Sequence, residues 1–186
     1  LSHDDAEQLA LRLLGAAAYS PAMAARIADE SGGNPYFVQA LVEHVHAEAE
    51  FASTDVLAEG IALDEVLRRR VSRLRPAARR LLEVVALAGR PLRERDAYSA
   101  ADLDALDPAL LNALRQAHLI RSGGEDQTIE TYHDRIRETV VAQLPLTSRP
   151  ALHRRLASTL AARRGAEPEW IGAHFAHAGE PAQAAH

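Results

Sequence analysis

Residues 107–141 read DPALLNALRQAHLIRSGGEDQTIETYHDRIRETVV, from Asp107 to Val141. Asp107-Pro108 opens a helix, because aspartate caps and proline presets φ for the first turn, and Leu110, Leu111 and Leu114 give that helix its apolar side. Leu119-Ile120-Arg121 and Gln127 to Tyr132 then read as two strands around the polar turn Ser122-Gly123-Gly124-Glu125-Asp126, a hairpin. Ile136, Val140, Val141 and Leu144 return to helical spacing, and the helix stops before Pro145. A hairpin set between helices in an otherwise helical chain decides the fold.

Upstream, Leu63, Leu67, Val71 and Leu74 line one face of a helix that breaks at Arg75-Pro76. Pro76 opens another, with Leu81, Val84, Val85 and Ala88 inward and Gly89 as its stop. A short helix is expected near Ala100 to Leu106, after Pro91. Helices followed by a small two-stranded β wing follow the order of a winged helix, assigned to residues 61–145. Residues 1–60 read as a helical bundle. Ser2 and Asp5 form a capping box for a first helix carrying Leu9, Leu13 and Ala17. Ser20-Pro21 starts a second helix and Gly32-Gly33 ends it. Asn34-Pro35 starts a third, with Phe37, Leu41 and Val45 stacked. Ala49 to Gly60 is weakly patterned and reads as a linker. Residues 146–186 read as a helix pair, Arg149 to Arg164 with Leu152, Leu156 and Leu160, then Glu167 to Ala178 with Trp170, Ile171 and Phe175. Gly165 separates them and Gly179-Glu180-Pro181 punctuates the end. Such a pair cannot bury both faces alone, so it is expected to begin a TPR-like α-solenoid continuing past the given sequence. The fold class is mainly α.

Composition narrows the function. Net charge is -5, so no global field draws in nucleic acid or anionic membrane. There is no cysteine, which excludes disulfides and thiolate zinc sites and fits a reducing, cytoplasmic setting. No apolar run approaches the ~20 residues of a membrane span. All 21 basic residues are arginine, and without lysine the chain cannot hold a phosphate-binding P-loop. No serine or aspartate stands in a nucleophile-elbow context, so the chain is not expected to be an enzyme.

Two short segments carry the chemistry. Ser31-Gly32-Gly33-Asn34-Pro35-Tyr36-Phe37 joins two helices. Local structure explains it, since the glycines supply a left-handed C-cap and Asn34-Pro35 the next N-cap. The same geometry also lets a ligand approach the glycine backbone, with a prolyl face for a base or ribose and a helix N-terminus for anions. Tyr132-His133-Asp134-Arg135 lies where the second strand becomes a helix. His133 is either a local cap or a donor to a phosphate oxygen, with Asp134 then capping the helix. Arg68, Arg69, Arg70, Arg73, Arg75, Arg79 and Arg80 contain no acid between Glu65 and Glu83. We read them as the solvated face of two helices. His44 and His46 point to different faces; His174 and His177 are spaced i, i+3 but lack a third ligand in pattern, so no metal site is expected.

Together these segments resemble the STAND class of signal-transduction ATPases, in which an AAA-type core is followed by helical repeats, often behind a protein kinase, nucleotide cyclase or transcription regulator. Ser31 to His44 is similar to the family's lid-helix entry, which makes residues 1–60 lid-like, and Leu63 to Leu82 to the start of its winged helix. Leu111 to Ile120 is similar to its third winged-helix helix, Tyr132 to Val140 to its histidine-aspartate segment, and His153 to Pro181 to its first repeat helices. The resemblance implies that Gly33 and Pro35, with Asn34 between them, contact the base and sugar of a nucleotide. It implies that His133 holds the β-phosphate of ADP in a resting state, with Asp134 as its acidic neighbour. ATP replacing ADP would weaken that latch. The phosphate loop and magnesium-binding acids would lie upstream in the same parent chain, so ADP or ATP belongs to the parent and none is expected bound here. Partners would be the upstream ATPase domain, downstream repeats and protein effectors.

Two other classes stay open. A winged-helix DNA-binding regulator would read DNA with Asp107 to Ala117, which carries only Arg115, and its wing presents Glu125, Asp126 and Glu130 to phosphates, so DNA is not the expected partner. A helical protein-interaction scaffold would make the loop and the histidine purely structural.

Overall fold

Most of the helices begin at a proline: Pro21, Pro35, Pro76, Pro108, Pro168 and Pro181 each open one. Proline lacks the N–H that a first helical turn leaves unbonded anyway, so the ring sets φ there at little cost. The structure of the chain, a computed structural model, describes residues 1–15, 21–48, 62–123, 127–163 and 165–184. It is mainly α, with 11 helices and one small three-stranded antiparallel sheet among the described residues. These residues form two compact units, Leu1–Arg70 and Val71–His186.

The first unit holds α1 (His3–Leu14), α2 (Pro21–Ser31), α3 (Pro35–Glu48) and most of α4 (Leu63–Ser72). The capping box is present: the Ser2 hydroxyl accepts from the Asp5 N–H at 3.1 Å. α1 packs on α2 and α3, but through Ala6, Ala10 and Leu14. The expected stripe of Leu9 and Leu13 is off by one position, for Leu13 is 40% exposed. Alanines every fourth residue let the α1 backbone lie close to its neighbours, which a leucine stripe would hold away. Ala17 and Ser20 lie outside the described residues, as does the expected linker up to Gly60. Gly32 and Gly33 end α2 with φ of 55° and 77°. Asn34 caps α3, its Oδ1 accepting from the Tyr36 N–H at 3.0 Å, and Phe37, Leu41 and Val45 are buried. Asn34→Ala should lower stability by ~1 kcal/mol, read as a shift in the far-UV denaturation midpoint. An unmoved midpoint would mean the cap contributes nothing.

The boundary between units falls inside α4, later than residue 60. Glu30 accepts from the Leu63 N–H at 3.2 Å, Arg69 reaches Glu48 at 2.5 Å and Arg70 reaches Glu43 at 2.6 Å. Those bonds, with buried Leu63 and Leu67, tie the start of α4 to the first unit.

The second unit runs α5 (Pro76–Ala88), β1 (Leu92–Arg93), α6 (Glu94–Ala100), α7 (Pro108–Gln116), β2 (Ile120–Gly123), β3 (Thr128–Thr131) and α8 (Asp134–Gln143). α9 (Arg149–Ala161), α10 (Pro168–His177) and the four-residue α11 (Pro181–Ala184) follow. The sheet order is β1-β3-β2, with Leu92 opposite Ile129 and Ser122 opposite Ile129 across the two antiparallel pairs. Helix–strand–helix–helix–strand–strand is the element order of a winged helix. The expected wing had two strands; β1 is the addition, and two residues are too few to show any period. The helix expected near Ala100 to Leu106 lies earlier. Asp102 takes a left-handed φ of 56° and the Leu103 N–H bonds back to Tyr98 O at 3.1 Å. That closes α6 at Ala100, and Leu106 is left exposed. α7 starts where expected, with Asp107 Oδ1 accepting from Ala109 N at 2.9 Å. α9, with Leu152, Leu156 and Leu160 buried, packs against α10, α6 and α5 within the second unit.

Candidate functional site

Each segment singled out in the sequence sits at a junction between elements. Gly33, Asn34 and Pro35 lie together at the α2–α3 turn of the first unit, and His133 and Asp134 at the β3–α8 turn of the second. At Gly33 the close approach is made by the chain itself. Leu1 N donates to Gly33 O at 2.9 Å, and a Cβ on Gly33 would run into the Leu1 carbonyl oxygen. Pro35 leaves its ring exposed, and beside it the Tyr36 hydroxyl accepts from Arg70 at 2.7 Å.

His133 is the residue that caps α8. Its backbone is extended, at φ -153° and ψ 151°, and Nδ1 accepts from the Arg135 N–H at 3.1 Å. Asp134, expected as the cap, is already the first helical residue, so its side chain starts too far along to serve. It is 84% exposed and lies 3.7 Å from Arg137, where its charge still favours the helix N-terminus. Because Nδ1 accepts, the neutral His133 ring carries its proton on Nε2.

The arginine run is laced with acids. Arg68 and Arg69 pair with Glu65, Arg69 also with Glu48, Arg70 with Glu43, and Arg79 with Glu83 at 3.0 Å. Two of those acids come from α3, which sequence spacing could not place beside it.

A further group was missed. α9 and α10 run antiparallel, which brings His153 against His174 and His177. The Nδ1 atoms of His153 and His174 lie 2.8 Å apart, and the His153 and His177 rings stack at 4.8 Å. One ring must therefore donate from Nδ1 and the other accept. Burial, then the neighbouring His177 and Arg149, push His153 down to about 4. Burial, then His153 and His177, push His174 to the same value. The rings border a cleft of about 570 Å³ between α5, α8, α9 and α10. Trp170 stands in its wall, its Nε1 donating to Ala88 O at 3.2 Å. Folding α9 back on α10 and aligning residue 153 with 174 was the available signal. Among the described residues no group of three histidines or acids could hold a metal ion, and no helix is long and apolar enough to cross a membrane.

Comparison with protein-family models, with curated proteins and with solved structures finds no match to this chain.

Proposed function

We propose that this chain is the regulatory, nucleotide-sensing part of a STAND-type signalling ATPase, without catalysis of its own. The observation that carries the reading is His133: an exposed imidazole at a strand-to-helix junction, its Nδ1 engaged by the Arg135 N–H. A ring held that way presents a donor without permanent charge beside a helix N-terminus, which suits a reversible grip on a phosphate oxygen. Pro35, with Gly33 and Asn34, would meet the base and sugar of the same ADP in the parent, where an upstream P-loop holds the phosphates. Exchange for ATP would then shift the population away from the latched state, since only differential affinity can move the equilibrium.

The DNA-reading alternative has less support. Arg115, the one cation of α7, is paired with Glu94, and Arg121 of the wing with Glu130 at 2.9 Å, which leaves little charge to meet phosphates.

In the full-length protein, His133→Ala should weaken ADP retention by roughly tenfold, the loss of one hydrogen bond to a charged group, and raise basal signalling. Unchanged retention with unchanged output would refute the switch and leave the scaffold reading. The coding sequence upstream of Leu1 should also contain a glycine-rich loop ending in lysine and serine or threonine.

A further inference from the structure

We propose that the cleft between α5, α8, α9 and α10 binds a small organic carboxylate with an apolar body, its charge held by Arg137 and Arg149 and its body laid against Trp170. This goes beyond the nucleotide reading and needs no P-loop.

Size is the first argument. At about 570 Å³ the cleft lies within the ~300–1,000 Å³ range of small-molecule sites. Charge is the second. Arg90, Arg137 and Arg149 line it and, among the described residues, no aspartate or glutamate does. Arg90 is committed to Glu167, at 2.7 Å, and its guanidinium lies over one face of the Trp170 ring, 5.4 Å from the ring centre. Arg149 is different: its hydrogen bonds run to the carbonyl oxygens of Leu144 at 3.2 Å and Val141 at 2.8 Å. Those oxygens orient the guanidinium across the C-terminal end of α8 without cancelling its charge. Arg137 is paired, among the described residues, with the exposed Asp134 at 3.7 Å, too far and too solvated to neutralise it. An anion entering this cleft therefore meets two guanidinium groups, that of Arg149 fixed by the α8 carbonyls and that of Arg137 still open to a partner, and carboxylates bind such groups in a fork-like pair of bonds.

The remaining surface sets the body of the ligand. Val141, Leu146, Pro150 and Trp170 form apolar wall, and Leu146 is 75% exposed at the lip. Inorganic phosphate would leave that wall wet; a hydrocarbon ring would cover it. His174 supplies an independent observation. It lines the cleft with 5% of its surface exposed, and its Nε2 is buried without a hydrogen-bond partner. A dry, unpaired polar atom of this kind is costly in a native fold, so the wall of the cleft at His174 is not at its polar optimum.

Trp170 is the chain's single tryptophan, so its emission reports on this cleft alone. Cyclohexanecarboxylate titrated into the 186-residue chain should change that emission saturably. Cyclohexylmethanol, equal in body but neutral, and inorganic phosphate, charged but without a body, should each bind at least about tenfold more weakly. Arg137→Gln should weaken the carboxylate by roughly tenfold and leave the melting temperature unmoved, because its one ion pair is exposed. Equal binding of the alcohol or of phosphate would overturn the assigned ligand class. No saturable change at millimolar concentration, or an Arg137→Gln chain that binds as tightly as the wild type, would overturn the site. Binding by calorimetry with Trp170 emission unchanged would place the ligand elsewhere and overturn it too.

Discussion

Lowering the pH from 6.5 to 4 should cost the second unit on the order of 3 kcal/mol and lower its melting temperature by roughly 10 °C. His153 and His174 are buried neutral and have their pKa values depressed to about 4. Unfolded, each would take its proton near the ordinary value of about 6.5. Between those values the unfolded chain binds more protons than the folded one, so stability rises with pH across the window and levels off above it. The rings share one hydrogen bond of 2.8 Å, so they titrate as a pair and the linkage of one histidine, not two, sets the magnitude. The charges facing them, Arg149 from the start of α9 and His177 from α10, oppose protonation in the same direction. The measurement is a series of melts followed by Trp170 emission. The double variant His153→Leu/His174→Leu replaces both partners with apolar groups and should flatten the profile between pH 6.5 and 4.5. A wild-type profile no steeper than the variant's there would mean the pair does not govern acid stability.

Ile129→Ala should destabilise the second unit by about 2–5 kcal/mol, the cost of removing buried methylenes and leaving a cavity. Ile129 is wholly buried on the central strand, paired to Leu92 on one side and Ser122 on the other, and β3 packs against α5. Glu130, the next residue, is partly exposed and among the described residues is paired with Arg121. Glu130→Ala should therefore stay within about 0.5 kcal/mol of the wild type. Denaturant unfolding followed by Trp170 emission distinguishes them. Equal losses at the two positions would show that the strand does not alternate between core and solvent as the register requires.

Much of this fold is written in short-range chemistry. Ser2 with Asp5, Asn34 before Pro35, Asp107 before Pro108 and glycine at position 89 each mark a helix end, because a cap needs only its own side chain and the N–H or C=O a few residues away. The two paired wing strands were equally legible, since alternation is a local pattern. β2 nevertheless runs on through Ser122 and Gly123, which the residue types assign to the turn, and Gly124, Glu125 and Asp126 lie outside the described residues. What failed were positions that depend on a remote partner. β1 exists only because β3 offers it an edge, and α1 turns its alanines inward because α2 and α3 lie so close. For the candidate site, spacing located the Gly33–Pro35 turn and the His133 junction, but the choice of His133 over Asp134 as cap rests on backbone dihedrals that residue types do not reveal.

The amino-acid order alone was enough to establish a mainly helical chain, its proline-led helix starts and its single β wing, because those are settled by interactions a few residues long. Tertiary packing decided the third strand, the division inside α4 and the acids that match the arginine run. It also built the cleft in which His153 meets His174, two residues that share no local signal. Their meeting depends on how one helix lies against another, a balance of burial and shape summed over many contacts, which no short stretch of sequence contains.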